Sequence, residues 1–94
     1  YEAIQMLLDS AISPEDQQKI FDIAVREKDV INIHDLRTRQ SGRIKIIQLH
    51  ATMDSAMSLL RAHNAADRIE KSIREAFPDA DVTVHMEPLE VPHG

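Results

Sequence analysis

Apolar positions along this chain alternate between helical and strand spacing, and the switches mark its elements. Ser13-Pro14-Glu15-Asp16 announces a helix. Ser13 can cap free N–H groups, Pro14 suits the first helical position, and the two carboxylates meet the positive end of the helix dipole. Ile20 and Ala24, with Phe21 and Ile23, supply an apolar stripe, which predicts a helix over 14–28. β-Branched Val30, Ile31 and Ile33 predict a strand over 30–38, Gln40-Ser41-Gly42 a turn, and residues 43–53 a second strand of the same hairpin. Asp54-Ser55 opens a second helix that runs to Phe77 on a stripe of Leu59, Ala62, Ala66, Ile69, Ile73 and Phe77, and Pro78-Asp79 stops it. A last strand is predicted over 82–88, followed by a loose Pro92-His93-Gly94 tail.

The order helix, strand, strand, helix, strand predicts an α+β fold: a ferredoxin-like αββαβ sandwich with two helices on one face of a three-stranded sheet. The other sheet face then has no helix to cover it. It is either polar or occupied by a second copy of the chain. Ninety-four residues make one domain with a modest core. No stretch reaches the roughly 18–20 apolar residues of a membrane span. The chain opens at Tyr1-Glu2-Ala3, as a piece of a longer polypeptide would.

Composition narrows the chemistry. Eleven Lys and Arg against sixteen Asp and Glu leave a formal charge of −5, which argues against nucleic acid as a partner and suits metal cations. Cysteine is absent, which excludes disulfides, thiolate zinc sites, iron–sulfur clusters and a cysteine nucleophile. No acid, base and nucleophile converge, so catalytic residues are not expected and the chain reads as a non-enzyme. Ser41 and Ser55 read as turn and cap residues, and Met53, Met57 and Met86 as core fillers.

That leaves the histidines, which strand parity sorts by face. Val82, Val84 and Met86 form the core-facing set of the last strand, so Thr83, His85 and Glu87 share the opposite face. In the second strand Ile47, Leu49, Ala51 and Met53 match the helices, which turns His50 to the uncovered face. His34 shares parity with Val30, Asn32 and Leu36, which leaves its face open. His63 sits early in the second helix at the edge of the apolar stripe. Imidazole nitrogens and a carboxylate suit Zn²⁺, Fe²⁺, Co²⁺ or Ni²⁺. The alternative for each residue is an ordinary half-exposed histidine.

These residues also carry a resemblance. The block His34-Asp35-Leu36-Arg37-Thr38-Arg39-Gln40-Ser41-Gly42, then Ile47-Gln48-Leu49-His50, Ala62-His63, and Phe77-Pro78 leading to Asp81-Val82 and Val84-His85, resembles the cytoplasmic domain of bacterial cation diffusion facilitators. Within them it is most similar to the ferrous-iron efflux pump and zinc transporter subfamily. The resemblance runs from about residue 9 to residue 88. It implies the C-terminal cytosolic domain of an inner-membrane divalent-metal/proton antiporter. Residues 1–12 would be the linker from the membrane domain, 13–90 the metal-binding regulatory domain and 91–94 a flexible tail. It also implies a metallochaperone-like V-shaped homodimer on the cytoplasmic side of the membrane. Its metal ligands would be His34, His50, His63 and His85, with Glu87 as bridging carboxylate, and Zn²⁺ as the ion or Fe²⁺, Co²⁺, Ni²⁺, Cd²⁺ or Mn²⁺ in its place. Metal binding would draw the protomers together and promote transport.

Four positions depart from the family pattern: Glu87 stands where Asp is common, Met86 where Gln is frequent, and Lys28-Asp29 where Pro-Gly often precedes the first strand. Ligation needs neutral imidazole, so metal binding should weaken as pH falls through the ordinary histidine range near 6.5. A free-standing soluble chaperone-like domain would want a thiol for handing metal on, and a small-molecule-sensing domain would want a glycine-rich loop. The chain has no cysteine and, besides Gly94, only Gly42.

Overall fold

The structure, a computed structural model, describes residues 12–89. The expected tail over 91–94 lies outside them, as does the expected linker over 1–12 apart from Ile12. The elements follow the predicted order: helix α1 (Pro14–Val25), strands β1 (Asn32–Ser41) and β2 (Ile44–Asp54), helix α2 (Leu59–Ala76) and strand β3 (Ala80–Leu89). The sheet runs β1-β2-β3, with β1 antiparallel to β2 and β3 parallel to it. The parallel pair needs a crossover, which α2 provides. This is the αββαβ ferredoxin-like arrangement. No helix among the described residues is long and apolar enough to cross a membrane.

The first helix starts as its sequence predicts. Ser13 accepts the Asp16 N–H at 3.2 Å, and Pro14, Glu15 and Asp16 fill the first turn. It ends at Val25 rather than 28, because the next residues are drawn toward α2. The Arg68 guanidinium donates to both Glu27 carboxylate oxygens, and Arg61 donates to Asp29 at 2.8 Å. The hairpin turn is also shifted. Gln40 and Ser41 pair with Lys45 and Ile44, so only Gly42 and Arg43 connect the strands. Gly42 has φ +60°, the left-handed value that suits glycine at the first position of a type II′ hairpin turn.

The start of α2 is a correction. Asp54 remains in β2, opposite Leu89, and its carboxylate then accepts the Ala56 N–H at 2.9 Å. Ser58, not Ser55, caps the helix by accepting the Arg61 N–H at 3.1 Å. Leu59 consequently lies outside the stripe and is 79% exposed. Ala65, Ala66, Ile69, Ile73 and Phe77 form the buried face instead. Ala65, Ile69, Ile73 and Phe77 belong to one core cluster with Ile20 and Ala24 of α1 and Ile47, Leu49, Ala51 and Met53 of β2, all buried. A fully buried side chain of this size stabilises by about 1.5–3 kcal/mol, so these few residues hold the helices on one sheet face.

One irregularity interrupts the sheet. His34 pairs with His50 and Arg37 with Gln48, so Asp35 and Leu36 together oppose Leu49. Asp35 adopts φ 53°, left-handed backbone that aspartate tolerates better than most residues. This β-bulge reverses the parity of β1 along its length. Ahead of it His34 faces away from the helices; after it Leu36 packs against the core.

Candidate metal centre

The strand register lines up three imidazoles. His34 is the cross-strand partner of His50, and His50 is the partner of His85. All three lie on the sheet face opposite the helices, since Ile33, Leu49 and Val84 beside them point to the core. The His34 and His50 rings stand 5.4 Å apart, and those of His50 and His85 5.0 Å apart. Parity thus placed His50 and His85 correctly, and the bulge settles the face of His34.

Glu87 follows His85 by two residues on the same face, and its register partner is Thr52. Its side chain reaches back across β2. One carboxylate oxygen lies 2.6 Å from His34 Nε2 and the other 3.0 Å from His50 Nδ1. The contact with His50, then that with His34, holds the Glu87 carboxyl below the usual glutamate range. It is therefore an anion at neutral pH.

His34, His50 and Glu87 each offer one ligand atom, and these atoms all lie within 4.8 Å of one another. Four-coordinate zinc with bonds of about 2.0–2.1 Å places its ligands roughly 3.3 Å apart, so the 3.0 Å His50 contact would open by about 0.3 Å and the 2.6 Å His34 contact by about 0.7 Å. His50 Nδ1 is itself buried without an aligned hydrogen bond, despite the nearby carboxylate. Deprotonated, that ring nitrogen has a lone pair with no well-placed partner, and a cation beside it would supply one. The donor set of two imidazoles and a carboxylate fits a borderline divalent ion and leaves a coordination position open.

Two expected ligands stand differently. His85 stacks beside His50 but is not in the three-residue group. His63 is not brought to the cluster at all. It lies exposed on α2, its Nε2 3.2 Å from the Asp67 carboxylate one turn along.

Asp35 is a residue the sequence reading did not single out. Its carboxylate approaches His50 Nε2 to 3.4 Å and accepts from Arg37 Nε at 3.1 Å. The Arg37 hydrogen bond is the main reason its carboxyl sits below the usual aspartate range. Regular alternation would have turned Asp35 toward the helices. The available signal was the conflict between polar His34 and apolar Leu36 at equal parity, which only a bulge reconciles.

The comparisons agree with this architecture. The family model described as the cytoplasmic domain of cation efflux proteins matches residues 12–89. A metal-bound C-terminal domain of the CzcD transporter from Thermotoga maritima is 32% identical, with a TM-score of 0.73 over 79% of this chain and 87% of that one. CzrB in its zinc form is 27% identical, with a TM-score of 0.75 over 86% of this chain and 93% of that one. A nickel form of the MamM C-terminal domain, at 19% identity and a TM-score of 0.75, shares the fold over 83% of this chain and 100% of that one. A search of curated protein sequences gave no match. With the family model covering all the described residues, the chain belongs to the cytoplasmic domain family of cation efflux proteins.

Proposed function

We propose that this chain, with residues 13–90 as its regulatory unit, is the divalent-metal-sensing, dimerising cytosolic domain of an inner-membrane metal/proton antiporter that exports Zn²⁺ or Fe²⁺. The observation that carries the proposal is the convergence of His34, His50 and Glu87 on the uncovered sheet face. The zinc form of CzrB and the metal-bound CzcD domain lend support by similarity. His34 Nε2, His50 Nδ1 and Glu87 supply the first ligands to the ion. His85, two residues before Glu87 on the same strand face and beside His50, can complete the set by turning its ring, and His63 joins only if a second copy or a rearrangement brings it near.

A second copy has a physical reason to sit on this face. The face carries the ligand cluster and a partly apolar margin that includes Ile44 and Leu89, 51% and 40% exposed. Two chains of formal charge −5 repel each other. Divalent ions at their junction offset part of that repulsion and shift an open-to-closed equilibrium toward the closed dimer. Closure of the dimer is the step that promotes transport in the attached membrane part. No catalytic residues are assigned.

Zinc titration by calorimetry tests the site. His50→Ala and Glu87→Ala should each weaken zinc binding by at least about tenfold, since even groups that only support a ligand are worth 10–100-fold, with far-UV circular dichroism unchanged. Unaltered titrations in both variants would remove the assignment. Small-angle scattering tests the switch: zinc should compact a dimer, and an unresponsive monomer contradicts the proposal.

A further inference from the structure

The His50 ring lies between two carboxylates. Glu87 faces Nδ1 at 3.0 Å and Asp35 faces Nε2 at 3.4 Å. An imidazole that binds a metal through one nitrogen keeps a proton on the other, and an acceptor there fixes both the tautomer and the ring plane. Glu87 belongs to the ligand group together with His34, so the metal side of His50 is Nδ1. The Nε2 side is left to Asp35.

The backbone around Asp35 is built for this placement. The bulge takes one extra residue into β1, and Asp35 occupies it with φ 53°. For a residue with a Cβ that conformation is unfavourable. In return, a side chain that would have pointed toward the core lies on the metal face. Arg37, two residues on, donates from Nε to the other Asp35 oxygen at 3.1 Å and limits its rotation. Arg37, Asp35, His50, Glu87 and His34 thus form a continuous chain of polar contacts.

We infer that Asp35 is a positioning residue for the metal centre: its carboxylate, aimed by the bulge and steadied by Arg37, accepts the Nε2–H of His50 and so presents Nδ1 to the ion. The inference rests on the proposed metal site. An ion on Nδ1 would make the Nε2–H a stronger donor toward the Asp35 carboxylate.

Two substitutions separate this role from a structural one. Asp35→Gly deletes the carboxylate while keeping a residue at ease with positive φ. Asp35→Asn keeps both an acceptor oxygen and tolerance of that backbone. In calorimetric zinc titrations, Asp35→Gly should weaken binding by about 10–100-fold, the usual cost of losing a support to a ligating histidine, and Asp35→Asn by no more than a few-fold. Nitrogen-15 spectra of the zinc-loaded wild type should show His50 metallated at Nδ1 and protonated at Nε2. In Asp35→Gly the Nε2 proton should exchange faster with water. Equal binding by Asp35→Gly and wild type overturns the inference, as does equal weakening in both variants, which would indicate a role for charge alone. Metallation at Nε2 overturns it too, whether or not the glycine variant folds. Glu87→Ala run alongside keeps the two claims apart. If it binds zinc normally, the site itself is wrong; if it fails while Asp35→Gly binds normally, only the role of Asp35 is.

Discussion

At the scale of single residues, two backbone positions with left-handed φ shape the β1–β2 hairpin, and they differ in kind. Gly42 makes the tight turn, and a Cβ added there would meet nothing within 4 Å. Gly42→Ala should therefore cost only the backbone penalty, about 1–3 kcal/mol, read as a lower urea midpoint with zinc affinity unchanged. Asp35 has its unusual φ inside a strand, where the side chain it redirects has polar neighbours. Glycine at 42 was legible as a turn from composition alone. The bulge at Asp35 was not, because a period-two reading assumes that every residue alternates. A strand with one inserted residue presents two half-patterns of opposite phase, and His34 and Leu36 fell on either side of the break. The faces of His50 and His85 were readable because β2 and β3 keep their alternation unbroken through those positions.

At the scale of elements, existence and order were legible and boundaries were not. The α1 start was clear from Ser13-Pro14, where capping side chain and fixed φ coincide. The α2 start was misplaced by one short turn, because Asp54-Ser55 and Ser58 are both chemically able to cap a helix. What separates them is tertiary: β2 runs to Asp54 since β3 offers it Leu89 as a partner, and no sequence window contains that pairing. The difference can be measured. Ser58→Ala should destabilise the domain by about 1 kcal/mol in urea melts, the usual worth of an N-cap. Ser55→Ala, on an exposed turn, should stay within about 0.5 kcal/mol of wild type. A reversed ranking would mean that the helix starts earlier than described. His63 shows the same limit from another side. Its helix was legible, but its side chain lies exposed on α2, and its distance from the cluster depends on how α2 crosses the sheet.

For the whole molecule, the α1–β1 connection is tied to α2 by charge, while its Val30 packs against the core. Asp29, 8% exposed, receives hydrogen bonds from Arg61 and Arg68, and Glu27 receives three more from Arg68. The Arg61 hydrogen bond holds the Asp29 carboxyl below its ordinary range, and the Arg68 hydrogen bond does the same for Glu27. A carboxyl with a lowered folded-state pKa binds its proton more readily when unfolded. Its stabilising effect is therefore complete above the unfolded pKa and disappears as pH falls through the folded one. Asp29→Asn should lower the urea midpoint at neutral pH. The gap to wild type should stay level above about pH 5 and narrow below about pH 4, where the native carboxylate protonates as well. A gap that widens on acidification would contradict this origin. Wide spacing along the chain has a related consequence at the proposed metal site, where His34 and Glu87 meet from positions 53 residues apart. The ligand set does not exist until α2 has crossed the sheet and β3 has docked beside β2, the non-local pairing that forms slowly in folding. An unfolded or half-folded chain thus offers the ion only scattered imidazoles. Zinc at a hundred times its dissociation constant would then add about 2.7 kcal/mol to the native state alone, so occupancy reports that the last strand is home.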